Sequence, residues 1–344
     1  MAMEISRRTF IKGTAAAGVV LMSGAYLGCG GKNIPEQVRR GDVTYDVLII
    51  GSGGAGMRAA LAATKNKDIK VAVMSKLMPT RSASTMAQGG MNGVTGVTDD
   101  KDTIESHTFD TIKGGDYLCD QDAVEYFAEN AGKTIYEMDY MGYPYNRQKD
   151  GHFHQRKMGG SSYPRAAYFE DRAGHAMVHA LFEQCLAHNI DFISECQMLE
   201  IAMTDAGKLA GVIAMDMRSG DLIGIPAKTV LIATGGYGRA YWVRTSNPYS
   251  STGDGIVAGM NAGIPFKDPE MVQFHPTGLS VNGVLLSESS RSEGALLVNK
   301  NGERFMSRYA PEKMKLATRD IVARAIATEI EEGRGIGEGL TAGV

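Results

Sequence analysis

Three glycines, Gly51, Gly53 and Gly56, form a GxGxxG pattern inside "YDVLIIGSGGAGMRAALAA", between an apolar β-branched run and small and aliphatic residues at helical spacing. The pattern predicts strand, tight turn and helix, and its chemistry is anion binding. The first glycine allows the sharp bend, the second lets a pyrophosphate approach the backbone, and the third lets helix and strand pack closely. A phosphate then lies on the helix N-terminus, where N–H groups and the helix dipole favour negative charge. Gly51, Ser52, Gly53, Gly54, Ala55 and Gly56 are the candidate contacts. The next strand, "IKVAVMS", follows at the distance of one βαβ unit and ends at Ser75, where the group binding an adenosine ribose belongs. An acidic residue is commoner there; a serine can still bond a ribose hydroxyl, but it removes the usual NAD signature.

Two residues after Ser75 and Lys76 comes "PTRSASTMAQGG", Pro79 to Gly90, crowded with small hydroxylated residues. Leaving the same sheet edge, this loop is expected to run along a flavin dinucleotide. Thr80, Arg81, Ser82, Ser84 and Thr85 are the candidates for phosphate and ribitol oxygens, and Gln88, Gly89 and Gly90 for a flat ring system. The competing reading is an exposed Ser/Thr loop. Thr234 and Gly235 in "ATGG" again put glycine backbone at a strand end, and Asp254 in "STGDG" is a further candidate contact. His175 and His179 lie four apart on an expected helix and could share a metal. With no Glu between them and no third ligand in the pattern, packing near the cofactor is favoured. The HxH at His152 and His154 reads as a loop feature, and Cys29, Cys119, Cys185 and Cys196 lack CxxC spacing, so no metal site is expected.

The expected fold class is α/β: a Rossmann-like FAD-binding domain with a small antiparallel β inset and the start of a mixed α+β capping domain. The inset is expected in the short β-like runs from Asp191 to Thr234, returning to the main sheet at Val230 to Ala233. Expected boundaries are a signal segment at 1–31, a linker at 32–43, the FAD-binding domain at 44–270 and an incomplete capping or substrate domain at 271–344. The bulk numbers agree: 344 residues, 43% hydrophobic and 22% charged, can bury a sizeable core. A net charge of -3 with scattered Lys and Arg argues against a nucleic-acid partner.

The N-terminus carries Arg7 and Arg8, then Phe10 and Lys12, then an uncharged stretch from Gly13 to Gly31. Its apolar run is too short and too rich in Gly and Ala for a spanning helix, which needs about 20 apolar residues. It reads as a twin-arginine export signal, a route for folded proteins that often carry a cofactor already inserted. A frayed N-terminal helix is the other reading. "AYLGC" resembles a lipoprotein processing box around Cys29, with Tyr26 where an aliphatic residue is usual.

The stretches "GSGGAGMRAAL", "SKLMPTRSASTMAQGG", "TIKGGDYLCDQDAVEY", "LIATGGYGR", "TGDG", "QFHPTG", "NGERFMSRYAP" and "RDIVARAI" together resemble the flavoprotein subunit of the succinate dehydrogenase and fumarate reductase family, from about Tyr45 to Gly335. The resemblance implies FAD and the interconversion of succinate and fumarate. It implies Arg319 as the acid that protonates one olefinic carbon, Glu288 as its proton relay, His275 and Ser287 as carboxylate binders, and Gln88 near the reactive edge of the flavin. Read without the family, Arg319 is a helix-start arginine paired with Asp320, His275 a core histidine before a proline turn, and Glu288 a solvated loop charge. Ala83 stands where membrane-bound members link FAD through a histidine, so the FAD is expected to be non-covalent. That absence favours fumarate reduction over succinate oxidation. Met158 replaces an aromatic residue that borders the substrate in many relatives, and opens the alternative of another unsaturated carboxylate.

The family continues past the point where this chain stops, with a second substrate histidine and arginine, so the resemblance implies an N-terminal piece of a longer protein. A catalytically silent flavin-binding fragment is the rival reading. With the export signal, the resemblance is nearest to the twin-arginine methylmenaquinol:fumarate reductase type. That type implies a periplasmic location, an iron–sulfur subunit and a membrane-associated subunit that oxidises quinol.

Overall fold

The computed structural model describes residues 38–241, 245–339 and 342–344. The expected export segment, with Arg7, Arg8, Phe10, Lys12, Tyr26 and Cys29, lies outside the described residues, as does the expected linker up to residue 37. The chain runs β1 (Val38–Arg40), β2 (Tyr45–Ile50), α1 (Gly54–Ala63), β3 (Val71–Met74), β4 (Met91–Asn92), α2 (Ile104–Gly114), α3 (Gln121–Tyr140), β5 (Gln155–Arg156), β6 (Ala166–Ala167) and α4 (Ala173–Ala187). It continues with β7 (Asp191–Ile193), β8 (Cys196–Met203), β9 (Leu209–Asp216), β10 (Leu222–Ile232), α5 (Asp254–Asn261), α6 (Glu288–Ser292), α7 (Met306–Tyr309) and α8 (Arg319–Glu331).

Two compact units are distinguished. Among the described residues, one takes in the chain up to Ala83, Leu181–Tyr237 and Tyr249–Pro269; the other comprises those of Ser84–Ala180, Gly238–Pro248 and Glu270–Val344. Ser84–Ala180 groups with the C-terminal segment, because its strands β4, β6 and β5 pair only with one another.

The first unit holds the main sheet, ordered β7-β3-β2-β10-β9-β8, with β1 against β10. Leu48, Ile50, Ala72, Met74, Val212, Ala214 and Ile225 are buried in its core with Ala258 of α5. β2 and β3 are parallel with α1 between them, as the glycine pattern requires. The antiparallel inset is β8, β9 and the first half of β10. The structure corrects the sequence reading at both ends of the inset. "DFISE" supplies β7, which pairs parallel with β3 at the sheet edge. "DLIGIPA" and "KTVLI" form one strand, in which Leu222–Pro226 pair with β9 and Ala227–Ile232 pair with β2. The change of partner falls at Pro226, which has no N–H to donate to a continuing ladder.

In the second unit, α2 and α3 are capped at their N-termini by Thr103 and Asp120, whose side chains accept from Ser106 N and Ala123 N. Phe305, Met306, Ala317, Val322 and Ala325 form a separate core under α7 and α8. Glu329 of α8 is 0% exposed. It survives burial because Asn299, Arg308, Tyr309 and Arg334 all donate to it at 2.7–3.1 Å.

Candidate active site

In the first unit the carboxyl ends of β2, β3 and β10 lie side by side, the edge where open α/β sheets bind ligands. Gly51 N–H donates to the Met74 carbonyl at 2.7 Å, and Ala233 N–H to the Ile50 carbonyl at 2.7 Å. The glycine turn is as tight as its pattern predicts. A Cβ at Gly56 would lie 1.8 Å from the Gly51 carbonyl oxygen, and one at Gly51, whose φ is +115°, 2.2 Å from that of Ala233. Gly53 caps α1 without a side-chain bond, and the first turn of α1 has no acidic residue. An acidic side chain in that turn would oppose a pyrophosphate, and the cradle, with none there, fits a dinucleotide.

Ser75 is buried directly after β3, and its hydroxyl donates to the Leu77 carbonyl. Its oxygen remains an acceptor for a ribose hydroxyl. Lys76 and Asp254 come together: Lys76 Nζ lies 2.5 Å from Asp254 Oδ2 and donates to Thr252 Oγ1 at 2.7 Å. Thr234 packs against Gly255 at the start of α5, and Gly235 follows with φ +72°. Thr80, Arg81 and Ser82 lie in the connection after β3, with Arg81 exposed and Thr80 and Ser82 half-buried.

Ser84, Thr85, Gln88, Gly89 and Gly90 belong to the second unit. Ser84 and Thr85 sit in a 3-10 turn, Ala83–Met86, half-buried, while Ala83 is exposed. Arg156 holds the strand-like end of the loop. Its Nη2 donates to the carbonyls of Gln88 at 3.1 Å and Gly89 at 3.0 Å, and its guanidinium stacks 4.0 Å from the Tyr168 ring centroid.

The second unit also contains a cavity of about 400 Å³ lined by Arg319, Glu288, Gln273, Met158, Gly89 and Gly90, and on its α2 side by His107, Asp110 and Thr111. Two expected catalytic residues meet in it. Glu288 is 5% exposed, and its Oε2 accepts from Arg319 Nε at 2.8 Å while Oε1 accepts from Gly159 N–H at 2.6 Å. Arg319 Nη1 donates to Gln273 Oε1 at 2.8 Å. Both plain readings fail for this pair: Glu288 is not a solvated loop charge, and Asp320 pairs with Arg324, not with Arg319.

His275 and Ser287 are not among the residues lining this cavity. Ser287 caps α6, its Oγ accepting from Ser289 N–H at 3.3 Å. His275 is half-buried, and burial, with Arg319 second, pushes its pKa below the usual histidine value. Its Nδ1 lies 2.9 Å from the Thr277 carbonyl and 3.3 Å from the Thr277 N–H. The tautomer that accepts from Thr277 N–H leaves Nε2 carrying a proton for a substrate carboxylate. The His175 and His179 rings lie with centroids 4.2 Å apart and tilted by 42°, and no metal-binding group of three ligands occurs among the described residues.

Four polar residues of the cavity wall escaped sequence reasoning. Gln273 stands two residues before His275, inside a recognised motif, and its role shows only in the fold. Arg165 is 1% exposed in the cavity wall, held by Asp102 at 2.7 Å and Asp110 at 2.5 Å. Burial works against its charge, and the two carboxylates outweigh it and raise its pKa. Burial alone would raise Asp110, but bonds from Ser162 and Arg165 hold it below the usual carboxylate range. Beside them, burial and then Arg165 lower the pKa of His107, whose Nδ1 has no partner among the described residues.

A profile described as the FAD binding domain matches residues 46–343. The chain belongs to that FAD-binding family. Within the family it groups with the flavoproteins of succinate dehydrogenases and fumarate reductases. It is 47% identical over 346 residues to the 8-methylmenaquinol:fumarate reductase flavoprotein subunit of Wolinella succinogenes, covering 99% of this chain and 56% of that one. It is 44% identical over 304 residues to the mitochondrial succinate dehydrogenase [ubiquinone] flavoprotein subunit of Oryza sativa subsp. japonica, covering 86% and 48%. Among solved structures, an E. coli quinol fumarate reductase FrdA mutant matches with TM-score 0.83 and 37% identity, over 89% of this chain and 53% of that one. The FAD-binding chain thus spans about half the length of the curated relatives it matches.

Proposed function

We propose that this chain is the flavoprotein part of an exported fumarate reductase, an FAD-dependent oxidoreductase that adds two hydrogens across the double bond of fumarate to give succinate. The observation that carries the reading is the buried Glu288 carboxylate bonded at 2.8 Å to Arg319, in the wall of a cavity of about 400 Å³. When bound, FAD supplies the hydride that one olefinic carbon takes. The electron pair left on the other carbon is a strong base, and Arg319 gives it a proton. A guanidinium is a very weak acid, so the transfer depends on that basicity and on prompt return of the proton. Glu288 provides the return route, since its Oε2 is already on Arg319 Nε. Gln273 fixes Nη1, while Nη2 takes no partner among the described residues. His275 supplies a hydrogen-bonding group, and its tautomer decides whether it can donate to a substrate carboxylate.

Gly51, Ser52, Gly53, Gly54, Ala55 and Gly56 hold the pyrophosphate, Ser75, Lys76 and Asp254 the nucleoside end, and Ala83 leaves the FAD without a covalent bond. Electrons reach it from quinol through an iron–sulfur subunit and a membrane-associated subunit, and the Arg7–Arg8 segment directs export to the periplasm. The names of the Wolinella and E. coli relatives support the quinol partner.

Steady-state reduction with reduced viologen as donor tests the substrate. Fumarate is expected to turn over faster than a monocarboxylic acrylate. Met158 in the cavity wall favours the second reading, another unsaturated carboxylate, and a faster acrylate would establish it.

A further inference from the structure

The turn from Met158 to Gly160 does more than border the cavity. Gly159 N–H donates to Glu288 Oε1 at 2.6 Å across a separation of 129 residues. The following N–H, that of Gly160, donates to the Leu316 carbonyl at 3.1 Å, just ahead of Arg319. One short turn therefore bonds the Glu288 carboxylate through one amide and the chain three residues ahead of Arg319 through the next. A side chain at this position would displace the carboxylate. A Cβ at Gly159 would lie 2.5 Å from Glu288 Oε1 and 3.3 Å from the Ala317 carbonyl oxygen.

We propose that Gly159 is a positioning residue of the proton relay, its N–H holding the Glu288 carboxylate in the orientation that keeps Oε2 on Arg319 Nε. The inference rests on the fumarate reductase reading. A backbone donor neither titrates nor swings away, so the carboxylate keeps its aim while Arg319 loses a proton to the substrate carbon and regains one through Glu288. Only protons move in this relay. The missing side chain at position 159 is as much part of the arrangement as the amide, because the carboxylate oxygen occupies the space a Cβ would take.

The test is a double-mutant cycle on the purified flavoprotein, read as kcat and KM for fumarate with reduced viologen, with flavin content and melting temperature as controls. G159A is expected to lower kcat on the order of a hundredfold, as a small misplacement of a catalytic group does, with KM little changed. In an E288Q background, G159A is expected to add nothing, because the group it displaces no longer relays. G159A/E288D is expected to regain part of the lost kcat, the shorter carboxylate making room for the Cβ. If G159A fails to fold, E288D alone reads the same contact: one methylene short, it cannot span Gly159 N–H and Arg319 Nε together, so kcat falls. Unchanged kcat in G159A or in E288D, equal losses from G159A in both backgrounds, or no recovery in G159A/E288D would overturn the inference while leaving the fumarate reading intact. A wild type that does not reduce fumarate would overturn both.

Discussion

Both carboxylate oxygens of Glu288 are committed, one to a backbone N–H and one to Arg319, and the group is buried. A pair so placed serves proton transfer better than surface charge. R319Q should therefore lower kcat for fumarate by about 10²–10⁴-fold, the range for loss of a positioned general acid, while the flavin stays bound. Steady-state kinetics beside the flavin absorbance checks this, and an unchanged kcat would remove Arg319 from the mechanism. At Ala83 the expectation is chemical: acid precipitation should leave all the FAD in the supernatant, and a yellow pellet would contradict it. Glu288 and Arg319 were legible in the sequence only through the family motifs. By residue type alone they matched ordinary surface charges. Gln273, Arg165 and Asp110 stayed hidden because their roles depend on partners far along the chain, such as Asp102 with Arg165.

At the scale of elements, the β2–α1 turn was fully readable, since a local pattern dictates a local geometry. Gly56 makes that testable: with 1.8 Å between an added Cβ and the Gly51 carbonyl oxygen, G56A should cost about 1–3 kcal/mol or more through overpacking and lose FAD. Melting curves and flavin content measure both. The course of β10 through Pro226 was not readable, because strand continuity there depends on which neighbours, β9 then β2, supply the ladder. Helix α8 is tied down by Glu329, which bonds from Arg334, foremost, hold at a pKa of about 2 against 4.5 for the free group. A carboxyl depressed in the folded state stabilises fully above the unfolded value and loses that contribution as pH falls through the folded one. Melting temperature should thus drop between about pH 4.5 and 2 in the wild type. E329Q should melt lower at pH 7 and lack that part of the acid dependence; identical pH profiles would show the network to be inert.

The whole molecule combines a dinucleotide cradle in one unit with an acid pair in a cavity of the other, in a chain about half as long as its curated relatives. Its fold class was legible because the glycine turn and the strand runs carry it. The division at Ala83 was not, since unit membership follows from which strands pair. Export can be tested separately: replacing Arg7 and Arg8 with lysine should keep the flavoprotein in the cytoplasm, as cell fractionation would show. The central claim is that fumarate accepts electrons from the flavin this protein holds. The flavin of the purified protein would be photoreduced without oxygen, fumarate added, and the visible absorbance followed. Rapid return of the oxidised flavin band is the predicted result, slowed in R319Q and E288Q; a flavin that is bound and stays reduced would contradict the account.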